Sequence, residues 1–495
     1  MKLVEMDLGA SGGKMLLGDY DGGILKTEEI HRFPYGQILL NGQHYWDFLY
    51  VYDQYIKGIR KAATATSGAI QSVSADCFGN DFILLDRNGQ LSYYNYCYNP
   101  TSGRYSKTME SIFSVISPKE LYERTGCQNA EFNALMFMYT YLLNNEAYRL
   151  EESSQLLFLP DALNYFMTGN RFSEFSNANI TSMVNRHTND WDTEIFERLG
   201  LPVRLMAPII QASTVVGEAT AGVKKDIGIA YLKVISSVSH DTGAAVYAVP
   251  NTGQHFGFIS SGTWSLVGIE TDHQVVNELS FKYNIANEDN PEGRIKVLVN
   301  VYGLKHTQYC KSYYNNRNVA FEYGPVTAQA AQEPPLRCFF NVDDTLIYDA
   351  VDTPEKISEY CRMTGQFVPR TIPEIVRCIN DSLALKYKYT FDRLERATGL
   401  TVPSIHIVGG GSQNKLLCQL AANATGKPVY VGPVEAAGMG NLVTQLIAHG
   451  ELKDYREARQ LIQRSVTVEE YLPQDQALWR EKYDEFLRQV MHGVE

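Results

Sequence analysis

Residues 2–25 read KLVEMDLGASGGKMLLGDYDGGIL: an apolar strand, a turn of small residues, and a second apolar strand. Val4, Met6 and Leu8 alternate with Glu5 and Asp7, the period of a half-buried strand. Residues 9–13 supply the turn, 14–20 the returning strand, and DGG at 21–23 another turn. The pattern comes back in the second half. Residues 255–270, HFGFISSGTWSLVGIE, again run strand, small-residue turn, strand, with 260–263 in the place of 9–13. A helix over 46–63, strands at 69–77 and 82–86 and a mostly helical stretch at 118–170 follow the first hairpin. SIHIVGGGSQNKLLCQLAANATG (404–426) and KPVYVGPVEAAGMGNLVTQLIAHG (427–450), each a strand, loop and helix, follow the second. The expectation is an α/β protein of two similar domains, 1–245 and 246–495, each opened by a hairpin. The boundary lies near 245–253, where VPNTG breaks a helix, and a C-terminal helical tail spans 476–494.

A chain of 495 residues is too long for one core. Its net charge of −12 disfavours a broad grip on nucleic acid or anionic lipid, yet leaves room for an anionic small molecule held by backbone N–H groups. There is no run of eighteen apolar residues, and the N-terminus enters an acidic strand rather than a signal segment, so a cytoplasmic protein is expected. Eight cysteines are scattered without a CxxC or a metal-like cluster, which suggests reduced, buried thiols. Whether Cys361 and Cys378 are neighbours in space cannot be read from their spacing.

Candidate chemistry gathers at four places. GASGGK (9–14) looks like a shortened Walker A, but it is a residue short, has Met15 where Ser or Thr belongs, and precedes a strand rather than a helix. A P-loop is therefore disfavoured, although clustered backbone N–H groups in such a turn suit a phosphate chain as well as they suit a plain turn. SSGTW (260–264) is the second such turn, with Thr263 adding a hydroxyl donor. GGG (409–411), after a strand, marks a place where a ligand approaches the main chain closely. In SHDTGAA (239–245), Asp241 stands where a strand gives way to a helix; it can cap that helix or take a proton from a bound alcohol. Two phosphate-sized turns, a glycine platform and an acid form the kit that phosphoryl transfer needs, with Asp7 placed to hold Mg²⁺.

With those residues assembled, the sequence resembles the FGGY carbohydrate kinase family. The resemblance runs through DLGASGGK, EIHRFPYG, NGQHYWD, GNDFILLD, SHDTGAAV, SSGTWSL, NPEGRIKVLVNVYGL and HIVGGGSQN…GPVEAAGMGN, over nearly the whole chain and in the family's order. It implies a duplicated, actin-like ribonuclease H fold with ATP and sugar meeting between domains, and it implies a role for each matching residue. Asp241 matches the catalytic base, and His240 and Thr242 its sugar-contacting neighbours. Ala10, Ser11, Gly12, Gly13 and Lys14 match the first phosphate loop, Thr263 the second phosphate turn and Gly410 the nucleotide platform. Gly79 and Asn300 match sugar contacts, and Gln308 a nucleotide contact.

The implied reaction is ATP- and Mg²⁺-dependent phosphorylation of a ketose at its C1 hydroxyl, L-rhamnulose first and L-fuculose as its rival. The protein would be a monomer or homodimer with no nucleic-acid or membrane partner. Two segments depart from the nearest branch of the family, both on the side that would face the sugar. CFGND (77–81) replaces Thr-Trp-Gly-Val-Asp, and YNPTSGR (98–104) replaces an Arg-Asp-x-Arg segment. Two other classes share the fold: an ATP-driven chaperone or filament protein, whose turnover would ignore sugar, and a non-catalytic sugar sensor. A sugar-facing His240–Asp241 pair, for which the first has no need, argues against it, and an intact Asp241 with both phosphate turns argues against the second.

Overall fold

Six strands build the sheet that carries the first hairpin: β1 (Lys2–Gly9), β2 (Gly12–Tyr20), β3 (Leu25–Pro34), β4 (Ile70–Cys77), β5 (Thr214–Glu218) and β6 (Lys233–Ser236). Their order is β5-β6-β4-β1-β2-β3. β1, β2 and β3 form an antiparallel meander, β4 lies parallel to β1, and β6 parallel to β4. The second hairpin opens another sheet from β7 (Phe256–Ser261), β8 (Trp264–Thr271), β9 (Arg294–Tyr302), β10 (Ile405–Val408), β11 (Val429–Val431) and β12 (Glu469–Tyr471), in the order β9-β8-β7-β10-β11-β12, with a seventh strand, Ala286–Asn290, at the edge beside β9. Here too the first strand pairs antiparallel with its hairpin partner and parallel with the fourth. The echo between the two hairpins is a repeated topology, as the expected α/β duplication requires. The computed structural model describes residues 1–10, 12–98, 103–253, 255–344, 346–347 and 350–491.

The chain packs as two units, each discontinuous in sequence. The first holds residues 1–252, 271–296 and 436–465; the second holds 253–270, 297–435 and 466–495. One cut near 245 separates the two hairpins but does not describe these units, because 271–296 and 436–465 return to the first. The reason lies in β1. Leu3, Val4, Glu5 and Met6 are all fully buried, so the strand does not alternate between core and solvent. It is central and covered on both faces.

One cover is α1 (Phe48–Ala65), whose start is capped by Asp47 accepting from the Tyr50 N–H. Its buried face of Val51, Tyr55, Ile59 and Ala62 has helical spacing and joins the core of Val4, Met6, Leu8 and Met15. Following α2 (Asp241–Tyr247), the other cover is α3 (Ala436–Ala448). A Cβ added at Gly438 would lie 2.5 Å from Glu5 Oε1, so Glu5 points at α3. The contact between strand and helix is polar. Gln445 Nε2 donates to Val4 O at 2.9 Å, Ser72 Oγ donates to Gln445 Oε1 at 2.7 Å, and Asn441 Nδ2 donates to Asp76 Oδ2 at 2.8 Å.

Among the described residues no helix is long and apolar enough to cross a membrane. All eight cysteines are free and buried. Cys361 and Cys378 are indeed neighbours, and Cys338 joins them, with the three sulfurs within 4.8 Å of one another.

Candidate active site

The site in the first unit is assembled at the C-terminal ends of adjacent strands. Asp7 on β1 faces Asp76 on β4 in the parallel register. Just beyond the end of β6, the Cys77 N–H donates to Ser239 O at 3.0 Å, and His240 bridges to Cys77. His240 is the extended residue that precedes α2, so Asp241 is the first residue of that helix. The backbone pairing thus delivers three carboxylates, Asp7, Asp76 and Asp241, to neighbouring strand ends.

Asp241 serves its helix with one oxygen only. Oδ1 accepts from the Thr242 N–H at 2.5 Å and from Thr242 Oγ1 at 3.2 Å. Oδ2 takes no hydrogen bond from the described residues, and the side chain is 31% exposed. Burial raises the carboxyl above its ordinary range; His240 opposes that and the Asp7 charge adds to it. Asp76 is fully buried and sits well above the usual range, first through burial and then through Asp7 and Glu5, with the Asn441 bond opposing. Its Oδ1 has no partner. Across the hairpin, Lys14 Nζ pairs with Asp7 Oδ2 at 3.1 Å.

Gly79 packs beside this cluster. A Cβ there would fall 2.2 Å from Ile180 Cδ1 and 3.4 Å from His240 Cδ2. The first turn is tighter than the five-residue loop expected, since Gly9 and Gly12 already pair. Ala10 is in that turn and Ser11 lies outside the described residues. Gly12 and Gly13 are instead required by β3: their Cβ atoms would sit 3.1 Å from Phe33 O and 2.2 Å from Phe33 Cζ.

The remaining site candidates fall in the second unit. Thr263 Oγ1 and the Gln308 side-chain amide lie within hydrogen-bond distance, 3.3 to 3.4 Å. The Thr263 carbonyl accepts from the Gly303 and Lys305 N–H groups, which fixes the turn. Gly409 has φ of 82°, a conformation glycine tolerates best, and a Cβ at Gly411 would meet Ser261 Oγ at 2.0 Å. Between them Gly410 is exposed, with open space where a side chain would be. Asn300 sits half-buried on β9.

Sequence reasoning missed a chain of ionisable side chains leading into Asp241. His240 Nε2 is 3.5 Å from Asp241 Oδ1, and its Nδ1 is 3.5 Å from Glu288 Oε2. The same Oε2 is 3.1 Å from Lys296 Nζ. Burial pushes the Glu288 carboxyl up, yet Lys296 and His240 together bring it down to about 2. The available signal was a lone lysine inside the apolar run RIKVLVNVY, which demands a buried partner.

Residues 99–102 lie outside the described residues, and other members of the two departing segments serve the local fold. Trp46 Nε1 donates to Asp81 Oδ1 at 2.8 Å, and Asn80 Oδ1 accepts from the Ala134 N–H at the start of a helix. Arg104 lies 3.8 Å over the Tyr96 ring and makes a bidentate pair with Glu146.

The donor set suits a divalent cation and phosphates. Asp7 pairs with one lysine, and Asp76 Oδ1 is an orphaned buried acceptor. The carboxylates do not converge as tightly as the cysteine trio does, which fits Mg²⁺ held by one or two carboxylates with water and phosphate oxygens.

Residues 3–248 match the model of the N-terminal domain of the FGGY family of carbohydrate kinases, and 257–449 match its C-terminal domain. The chain is 37% identical over 483 residues to a rhamnulokinase of Bacteroides thetaiotaomicron, covering 97% of this chain and 98% of the relative. It is 31% identical to a rhamnulokinase of Bacillus subtilis, with 96% of each covered. Among solved structures it resembles ligand-bound xylulose kinase from Lactobacillus acidophilus, with a TM-score of 0.79, 15% identity and 98% and 97% coverage. It likewise resembles Plasmodium falciparum glycerol kinase with ADP, with a TM-score of 0.79, 13% identity and 100% and 98% coverage.

Proposed function

The chain belongs to the FGGY family of carbohydrate kinases, and from that premise we propose that it transfers the γ-phosphoryl group of ATP to the C1 hydroxyl of L-rhamnulose. The names of its relatives support the sugar; L-fuculose is the rival. The observation that carries the mechanism is the Asp241 carboxylate, whose Oδ1 is held by Thr242 while Oδ2 takes no hydrogen bond from the described residues, on a side chain 31% exposed.

In this reading Oδ2 accepts the proton of the sugar hydroxyl as that oxygen attacks the γ-phosphorus in line. The new bond is C1–O–P, the bond broken joins the γ-phosphorus to the bridging oxygen, and ADP leaves with the electron pair. The proton then passes from Asp241 to water. Burial and the neighbouring Asp7 charge make Asp241 more basic than an exposed aspartate, which suits a proton acceptor. His240, Thr242, Gly79 and Asn300 orient the sugar.

The nucleotide contacts of this reading are Lys14 and the backbone of 10–14 in the first unit and Thr263, Gln308 and Gly410 in the second. Asp7, with Asp76 behind it, would hold Mg²⁺, which when bound supplies neutralisation of phosphate charge. The need for ATP makes the cytoplasm the natural compartment.

The test is Asp241→Asn. It keeps size and the Thr242 contacts but cannot accept a proton. ATP affinity by calorimetry should be unchanged while kcat falls at least ~10²-fold, the scale of a lost general base. Retained turnover removes Asp241 from the role.

A further inference from the structure

We infer that Glu288, backed by Lys296, is a positioning residue for the reaction: it fixes the His240 ring so that Nε2 is committed to Asp241 Oδ1 and Oδ2 is left for the attacking alcohol. The inference deepens the reading of Asp241 as the base and rests on it.

Three observations carry it. His240 lies between two carboxylates at equal distance, with Nδ1 3.5 Å from Glu288 Oε2 and Nε2 3.5 Å from Asp241 Oδ1. Turning the ring over would put carbon atoms against both acids, so the pair selects one orientation. Next, Glu288 and Lys296 are buried to 5% and 0% exposure, on a segment, Ala286–Asn290, in which every residue is buried. A buried ion pair is a weak source of stability, because desolvation offsets much of its attraction. Here one oxygen, Glu288 Oε2, faces both the lysine and the histidine.

The third observation is that the chain Lys296, Glu288, His240, Asp241 ends at the carboxylate whose Oδ2 takes no hydrogen bond from the described residues. Lys296 also lies under α2, since a Cβ at Gly243 would be 3.1 Å from its Nζ. The lysine therefore packs against the helix that starts with Asp241. Lys296 keeps Glu288 ionised, and Glu288 sets the ring.

The test uses the full-length protein with ATP and L-rhamnulose, or L-fuculose if only that is turned over. Glu288→Gln should lower kcat at least ~10-fold, the scale on which losing the partner of an active-site histidine is felt. It should leave KM for ATP unchanged and lower Tm, because Lys296 is left buried without its partner. Glu288→Gln combined with Lys296→Met removes the stranded charge; Tm should recover while kcat stays low. A double variant with recovered Tm and parental kcat would make the pair a packing element and overturn the inference. Asp241→Asn run alongside separates the two readings. If it retains turnover, the base assignment itself fails. If it is inactive while Glu288→Gln is fully active, only the positioning role fails.

Discussion

In the proposed reaction Asp241 is both a helix-terminal acid and a base, with Oδ1 held by Thr242 and Oδ2 the proton acceptor. Because burial raises its folded-state pKa, the acid limb of kcat/KM should lie above the ordinary aspartate value of 3.8, with full rate once the carboxylate is ionised. A pH profile checks this, and a limb at or below 3.8 would mean that another group carries the proton.

Asp81 makes a separate prediction, for stability. Burial lifts its carboxyl to about 7 despite the Trp46 hydrogen bond. The folded state therefore keeps a proton that the unfolded chain releases near 3.8, and stability falls as pH rises between the two values. Asp81→Asn should raise Tm at about pH 8, with the gap closing below about pH 4, as thermal melts across that range would record. Asp241 and His240 were legible in the sequence because the motif around them is local. Glu288 and Lys296 were not, because a polar stretch such as ANEDN reads as surface until a second strand and a helix are laid over it.

At the scale of elements, the close approach of α2 and α3 sets where Asp241 stands. A Cβ at Gly440 would lie 2.0 Å from Ala244 O, a backbone atom that cannot swing aside. Gly440→Ala should therefore push α2 outward, costing on the order of 1–3 kcal/mol of stability and lowering kcat with it. Gly222 in the helix Ala221–Ile227 is the control, with open space around its Cβ position. Gly222→Ala should gain up to about 1 kcal/mol and leave turnover alone. Urea melts and steady-state rates on the two variants decide it. The hairpins could be read from period-two alternation and small-residue turns. The return of α3 to the first unit could not, since GMGNLVTQLIA is apolar enough for any core and only the burial of Glu5 reveals its partner strand.

For the molecule as a whole, the shared five-strand core, β6-β4-β1-β2-β3 in one sheet and β11-β10-β7-β8-β9 in the other, means that one architecture was used twice, with different side chains left at the strand ends. In the first unit these are acids with one lysine and one histidine; in the second they are hydroxyl, amide and glycine. That asymmetry accords with the proposal that the proton transfer belongs to the first unit and much of the nucleotide grip to the second. Nucleotide turnover should then depend on an alcohol acceptor, which distinguishes a kinase from an ATPase of the same fold. The decisive measurement is ADP release by the purified protein with ATP and Mg²⁺, with and without L-rhamnulose, alongside a panel of other ketoses and polyols. Release should require a ketose and be fastest with L-rhamnulose, yielding the 1-phosphate. ADP formation at the same rate with no sugar present would contradict the account.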